Sequence, residues 1–420
     1  MALIVQKFGG TSVGNIERIQ NVARLALDAQ ARGDDIVLVV SAMSGETNRL
    51  VELATQIHPM PYSPEYDLLI ASGEQVAVGL VTLAINTEAE KRKLLTNGSV
   101  AAKGMLGHQV GIFTDPISSK ARIQTIDTTY LKKLISNRVI PVIAGFQGVD
   151  SNRNITTLGR GGSDTSAVAI AAALRADDCE IFTDVDGVYT TDPRLCREAR
   201  KINRISYEEM MELASLGAKV LQIRSVELAA KYQLPLHVRS SFNPVEGTRV
   251  VSQELLGEQM EQVVVAGVAA DGAQVKLTLQ NITDGPGVVA QIFGALSRAS
   301  IVVDIIVQDI PSNGVLAISF TVGRTDHLKA RQVLDELKDR SLGSMRIAEE
   351  VELAKVSVVG VGMQHHPGVA SKMFQLLADA DINIKLITTS EIKISCLIAG
   401  EKMRQAVECL HRGFELHQAE

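Results

Sequence analysis

Gly159-Arg160-Gly161-Gly162-Ser163-Asp164-Thr165-Ser166 leads straight into the apolar, helix-forming run Ala167 to Ala173. Three glycines let the backbone approach a ligand closely, and a helix starting here turns its free amides and dipole toward an anion. Arg160 adds a forked cation that suits a carboxylate or a phosphate. A plain N-cap by Ser163 or Asp164 would explain one residue but not Arg160 with the glycines. On either side, apolar runs alternate with helical spacing. Leu3 to Val5 precedes Ile16 to Ala31, where Ile19, Val22, Ala23, Ala26 and Leu27 share a face. Ile36 to Val40, Val139 to Ala144 and Cys179 to Phe182 repeat the strand pattern. Strand–helix alternation predicts a mainly parallel sheet sandwiched by helices, with ligands at the carboxyl ends of the strands.

Other polar segments follow such runs. Lys7-Phe8-Gly9-Gly10-Thr11-Ser12 reads as a loop after the first strand, with Lys ahead of the glycines. It is therefore not a Walker A loop; it is either a phosphate loop of another design or a turn with two glycines for geometry. Thr183-Asp184 to Arg194 mixes carboxylates, Tyr189 and Arg194, and reads as a nucleotide loop or as an ordinary turn at Asp186-Gly187. Ala71-Ser72-Gly73-Glu74 reads as a loop opening a helix at Gln75, where Glu74 caps that helix or binds an amine. Ser41 and Thr47 follow Ile36 to Val40, where such hydroxyls are commonly caps. HExxH and GxSxG are absent, and Gly360-Val361-Gly362 lacks the third glycine of a dinucleotide fingerprint.

Composition excludes further classes. The 420 residues carry a net charge of −6, which gives no basis for broad phosphate-backbone binding by nucleic-acid contacts. With 46% hydrophobic residues, 4% aromatics and no Trp, the core rests on Ala, Val, Ile and Leu. The four cysteines form no CxxC pair and read as reduced thiols. No secretory leader is evident at Met1 to Lys7, and no apolar run approaches the roughly 18 residues of a membrane span. The expectation is a cytoplasmic protein without membrane or nucleic-acid partners.

Beyond Asn243 to Gly247 the character changes. Aligning Pro286-Gly287 with Pro367-Gly368 matches Val288 with Val369, Phe293 with Phe374, Leu296 with Leu377 and Ile301 with Ile382. Each copy reads as strand, Pro-Gly turn, helix, strand, strand, helix, a small α+β module present twice. The turns at Asp284 to Gly287 and His365 to Gly368 either take small carboxylates on their amides or merely start helices.

The segments Lys7 to Val13, Gly159 to Thr165, Thr183 to Tyr189 and Ala214 to Leu221 resemble the signatures of aspartokinases, in the amino acid kinase superfamily. The tail resembles paired ACT domains, so the likeness spans the chain. It implies an amino acid kinase domain over 1–245, then βαββαβ ACT domains over 262–342 and 343–420. The two can be interleaved, with strand 263–269 pairing in the second. The implied reaction is MgATP plus L-aspartate to ADP plus 4-phospho-L-aspartate, the entry to lysine, threonine, methionine and diaminopimelate synthesis.

By the same resemblance, Lys7 stabilises the transferring phosphoryl group and Asp164 is the catalytic acid; since the substrate carboxylate is already ionised at pH 7, Asp164 is expected instead to orient Lys7 or the Mg²⁺ shell. Lys7, Phe8, Gly9, Gly10, Thr183, Asp184, Tyr189, Arg194 and Lys219 match the ATP side. Ser41, Thr47, Glu74, Phe146, Arg160 and Ser163 match the aspartate side, with Arg160 on the α-carboxylate and Glu74 on the ammonium. Mg²⁺ rides on phosphates and water, with no ligand assigned to a side chain. Lysine and threonine are the implied effectors of a homo-oligomer joined through its ACT domains. Asp284, Gly287, Val288, Gln308, His366, Gly368, Val369, Asn383, Ile384, Thr389 and Glu391 match effector positions. His365-His366 departs from the family's Ser-His. A shorter ACT-only chain could begin near Met260. The readings set against this one are another carboxylate kinase, acting on glutamate or acetylglutamate, and an inactive amino-acid sensor.

Overall fold

Short β-branched runs punctuated by glycine become strands because their branched side chains pack well on a pleated surface covered from both sides. The computed structural model describes every residue except 60–61, 96–97, 217–219, 257–263, 310–313, 367 and 419–420, and leaves out the side chains of 364–365. Lys219, Met260 and Pro367, together with the His365 side chain, therefore lie outside the described residues. The chain divides into two units. One comprises Met1–Val188 and Lys201–Met260, the other Tyr189–Arg200 and Glu261–Glu420.

The first unit begins with β1 (Leu3–Phe8), α1 (Ile16–Ala31), β2 (Asp35–Val40), α2 (Glu46–Ile57) and α3 (Pro64–Lys91). Next come β3 (Ala102–Met105), β4 (Ile112–Thr114), β5 (Ile123–Ile126), α4 (Thr129–Ser136), β6 (Ile140–Ala144), β7 (Gln147–Val149) and β8 (Ile155–Thr157). It ends with α5 (Gly162–Leu174), β9 (Asp178–Thr183), β10 (Arg204–Ser206), α6 (Tyr207–Ser215), α7 (Ile223–Tyr232), β11 (Leu236–Ser240) and β12 (Thr248–Val251). The main sheet has the order β10-β12-β11-β9-β1-β2-β6-β3, and β5-β4-β7-β8 form a smaller one. From β3 to β11 every neighbouring pair in the main sheet is parallel; β12 runs antiparallel to β11. The carboxyl ends of β1, β2, β6 and β9 consequently share one edge.

Alternation on β1 sends Phe8 and Lys7 to opposite faces. Phe8 is fully buried, stacks on Phe182 at 4.6 Å, and joins a core with Val22 of α1 and Ala77 of α3. Lys7 faces α5, as its ion pair with Asp164 requires.

Three sequence expectations need correction. Lys7 and Phe8 belong to β1 rather than to the loop after it. Ala71 to Glu74 is not a loop opening a helix at Gln75; it lies inside the 28-residue α3. Gly73 is there for proximity, since a Cβ on it would come within 2.9 Å of the Ala42 Cβ. Thirdly, α3 is long and apolar enough to cross a membrane, against the expectation that nothing approaches that length. Its Ile70, Ala77, Val78, Val81 and Ile85 are instead buried within the unit, as a core helix requires.

The second unit contains β13 (Gly267–Thr283), α8 (Val288–Arg298), β14 (Val303–Gln308), β15 (Val315–Gly323) and α9 (His327–Ser341). It continues with β16 (Arg346–Val359), α10 (Gly368–Asp379), β17 (Leu386–Ser390), β18 (Lys393–Ala399) and α11 (Met403–Gly413). The strand order is β14-β15-β13-β16-β18-β17. Both modules thus share one sheet, because two strands run its full depth. Gly267 to Asp271 of β13 pairs with Val359 to Lys355 of β16, whereas Gln274 to Thr283 pairs with β15.

Candidate active site

The loops leaving β1, β2 and β6 are sewn together at the common edge. Gly9 N–H donates to Phe182 O (3.1 Å), Ser41 N–H to Phe8 O (3.1 Å), Ser44 N–H to Gly10 O (3.1 Å) and Gly145 N–H to Val40 O (3.0 Å). Gly10 must lack a side chain, since a Cβ would sit 2.8 Å from Ala42 O. Gly145 is equally constrained, by Ser163 Cβ at 2.8 Å. These close approaches bring the α5 N-terminus against the sheet edge. Gly161 (φ +72°) forms the turn before α5, which starts at Gly162, earlier than the apolar run alone indicates. Phe146 is held at φ +68°, its N–H bonded to Ser166 Oγ (3.0 Å), against Gly162.

Two charged groups meet in this frame. Lys7 Nζ lies 2.6 Å from Asp164 Oδ1, with both side chains about nine-tenths buried. Asp164 sits in the first turn of α5, where helix polarity favours a carboxylate. Lys7 Nζ would lie 3.4 Å from a Cβ on Gly9, so the ammonium overhangs the glycine loop.

Glu74 is 3% exposed and accepts from Ala42 N–H (3.0 Å) through Oε1. Its Oε2 is buried with no partner among the described residues. Burial raises the carboxyl pKa from 4.5 to about 7, and the Ala42 bond offsets only part of this. An unsatisfied buried acceptor costs about 1–3 kcal/mol, so this one is expected where a ligand supplies the missing donor.

Arg160 is exposed and makes no hydrogen bond or ion pair with the described residues, leaving its fork available. Ser163 is buried, while Ser41 and Thr47 are half-buried, Thr47 in the first turn of α2. Thr183 ends β9, and its hydroxyl donates to Asp184 (3.1 Å). Thus Lys7, Phe8, Gly9, Gly10, Ser41, Phe146 and Thr183 lie at or just after connected strand ends, Ser163 and Asp164 in the first turn of α5 against them, with Glu74 joined through Ala42. Tyr189 and Arg194 fall in the second unit's 189–200 segment, where Arg194 is exposed and pairs with Asp192.

Sequence reasoning missed Asp67. It is fully buried and accepts from the N–H and hydroxyl of both Ser119 and Thr157, tying α3 to β8. Near a helix start it looked like an ordinary first-turn acid. Ser12, whose hydroxyl donates to Ser241 Oγ (2.9 Å), also secures the β1 loop from within.

In the second unit, register brings Asp284, after β13, and Gln308, which ends β14, to one end of the sheet. Gly287 (φ +90°) caps α8, which starts at Val288. Thr389 and Glu391 lie at the β16 end that leads toward His366 and Gly368. Val369 is buried in the module's core and Ile384 packs against that core, so their side chains serve packing. Asn383 is exposed in the turn before β17.

A model of the amino acid kinase family matches residues 2–240, and an ACT-domain model matches 356–414. The aspartokinase of Pseudomonas aeruginosa is 49% identical over 416 residues, 99% of this chain and 98% of that protein. The crystal structure of E. coli aspartokinase III in complex with aspartate and ADP (R-state) superposes with a TM-score of 0.78 at 27% identity, covering 98% of this chain and 99% of the other. The same enzyme in complex with lysine and aspartate (T-state) gives 0.74 at 28% identity, with the same coverage. On this evidence the chain belongs to the aspartokinase family, within the amino acid kinases.

Proposed function

We infer that the Lys7–Asp164 centre is where this aspartate kinase transfers the γ-phosphoryl group of ATP to L-aspartate. The observation that carries this reading is the buried Lys7–Asp164 pair, set at the β1 end above a glycine loop and at a helix N-terminus. A side-chain carboxylate oxygen attacks the γ-phosphorus. The bond from that phosphorus to the β–γ bridging oxygen breaks, and its electrons leave with ADP. Both reactants are anionic, so the protein's task is charge neutralisation and alignment. Lys7 supplies the cation beside the phosphoryl oxygens, and Asp164 holds it in place. No base is needed, because the attacking carboxylate is already ionised at pH 7. Gly9, Gly10, Gly161 and Gly162 offer amides to phosphate oxygens.

Arg160 takes the α-carboxylate of aspartate, and Glu74 Oε2 takes its ammonium. Ser41, Thr47, Ser163 and the ring of Phe146 complete that side. Thr183 and Asp184, with Tyr189, Arg194 and Lys219, serve the nucleotide. Mg²⁺ bound to the phosphates screens their charge.

The second unit is proposed to sense lysine and threonine. The lysine complex of E. coli aspartokinase III supports the first of these. Exposed Val302, Ile306, Val315 and Ile387 suit pairing with a second copy through the ACT domains. A shorter ACT-only chain from the same gene is a further proposed partner. Four free thiols are consistent with the cytoplasm. The test is ADP release with MgATP and L-aspartate, alone and with lysine, threonine or both. Turnover that the pair suppresses most supports the whole reading. Turnover indifferent to both removes the regulatory half.

A further inference from the structure

Asp67 is fully buried, yet it has no ion-pair partner among the described residues. Neutral donors stand where a cation would be expected. Ser119 N–H reaches both carboxylate oxygens (3.0 Å each), and the Ser119 hydroxyl adds a bond to Oδ1 (3.0 Å). Thr157 gives its N–H to Oδ2 (2.9 Å) and its hydroxyl to Oδ1 (2.8 Å). Bonds to a charged acceptor are the strong ones, so this knot fixes both of its partners firmly.

What those partners hold is the turn that bears Arg160. Thr157 O accepts from Ala121 N–H (3.0 Å), and Leu158 N–H donates to Phe146 O (2.9 Å). Gly159 follows at φ +80°, where a Cβ would stand 2.9 Å from Ser119 O. Only glycine lets the chain pass so close to the Ser119 knot, and Arg160 is the next residue. Arg224 of α7 closes the same turn, donating to Leu158 O and Ala121 O (2.9 Å each). Gly162 N–H then bonds Gly159 O (2.9 Å), so the turn runs directly into α5. The Arg160 side chain makes no bond with the described residues, so the backbone on either side sets where it starts.

The helix that supplies Asp67 also supplies Glu74. The two carboxylates are seven residues apart on one face of α3, a rise of about 10 Å. Between them Ile70 packs on Phe146, and Ala71 O accepts from the Gln147 amide (3.1 Å). All of these residues belong to the first unit.

We propose that Asp67 is a positioning residue for the amino-acid substrate. It fixes the Gly159–Gly161 turn to α3, so that Arg160 and Glu74 meet the carboxylate and the ammonium of one α-amino acid at a set spacing. The proposal deepens the reading above, in which Arg160 takes the α-carboxylate and Glu74 the ammonium, and it rests on that reading. Asp67 touches no substrate and acts only through Arg160.

The full-length enzyme tests this with Asp67→Asn, Thr157→Val, Arg160→Ala and the double variant Asp67→Asn/Arg160→Ala. Asparagine turns an amide toward donors that need an acceptor. Thr157→Val keeps the volume and removes one bond of the knot, so it replaces Asp67→Asn throughout, the double included, should that variant fail to fold. The expected result is a rise in KM for aspartate of about 3- to 10-fold in Asp67→Asn and about threefold in Thr157→Val, with KM for ATP within about twofold of the parent. In the Arg160→Ala background the same change adds nothing to KM for aspartate, because no guanidinium is left to place. An unchanged KM for aspartate in Thr157→Val overturns the proposal. So does a parallel rise in both KM values, which marks a merely structural knot, or a full further rise in the double variant, which marks action apart from Arg160. Arg160→Ala alone separates the two layers. If it leaves KM for aspartate unchanged, the α-carboxylate role of Arg160 fails, and the proposal falls with it. If it raises KM while Asp67→Asn and Thr157→Val do not, the positioning role alone fails.

Discussion

Replacing Glu74 by glutamine should stabilise the ligand-free protein above pH 7 while crippling its affinity for aspartate. Burial lifts the Glu74 carboxyl from 4.5 to about 7. Between those pH values the folded protein keeps a proton that the unfolded chain has released. This group's contribution to stability therefore falls as pH rises through that window, and levels off above it. Holding an ionised carboxylate so far from its unfolded pKa costs the fold about 3 kcal/mol at pH 8. Glutamine keeps an oxygen for Ala42 N–H but leaves an unpaired amide, which returns about 1 kcal/mol. The net gain is about 2 kcal/mol, roughly 5 °C in the melting of the first unit. At pH 4.5 the advantage disappears. His237 works in the opposite sense: burial holds its pKa at about 3, so its contribution rises with pH between about 3 and 6.5. The diagnostic quantity is consequently the difference between variant and parent at each pH. In the parent, the ionised fraction of Glu74 grows about tenfold from pH 6 to pH 8, and kcat/KM for aspartate should follow it. In the variant that slope vanishes and kcat/KM at pH 8 falls about 100-fold, as expected on losing a buried charge pair. Thermal melts at pH 5 and 8, with coupled ADP-release kinetics across the range, measure both. A parent profile flat between pH 6 and 8, or a variant destabilised equally at both pH values, refutes the reasoning.

If Lys7 neutralises the phosphoryl group as proposed, Lys7→Met should lower kcat roughly 100- to 1,000-fold. It should also cost about 3 kcal/mol by stranding buried Asp164; adding Asp164→Asn should restore the urea midpoint but not turnover. Arg160→Ala should leave stability within about 0.5 kcal/mol, since the guanidinium has no partner among the described residues, and raise KM for aspartate about tenfold. Gly161→Ala combines a positive φ with a Cβ 1.7 Å from Gln222 Cγ, and should cost about 2 kcal/mol together with activity. Gly33→Ala, at φ +105° in open space, should cost about 1 kcal/mol by urea melts and leave kinetics intact.

Where chemistry and geometry made the same demand, the sequence was legible. Gly159 to Ser166 combines glycines that a close backbone approach needs with charges that an anion needs, and both appear at the α5 N-terminus. The apolar spacing in Ile16 to Ala31 predicts α1 to the residue, because one buried stripe decides a helix. Glu74 shows the limit. Small and polar residues around it look like a turn, but the demand for Gly73 comes from Ala42 on a different element. The 189–200 segment was opaque for the same reason. Leu195 and Cys196 look like loop residues until the core of β13, β16 and α11 is assembled around them. Asp67 likewise acquires its four donors only from residues more than 50 positions away.

The full-depth pairing of β13 with β16 also sets a timetable for biosynthesis. Gly267 at the start of β13 pairs with Val359, about 90 residues later in the chain. At about 5–20 residues per second, that end of β13 waits roughly 5–20 s on the ribosome before its neighbour is made. Over that interval it is an uncapped, valine-bearing edge, open to the wrong strand of another nascent chain. Yield of the second unit should then depend on translation speed and chaperone supply.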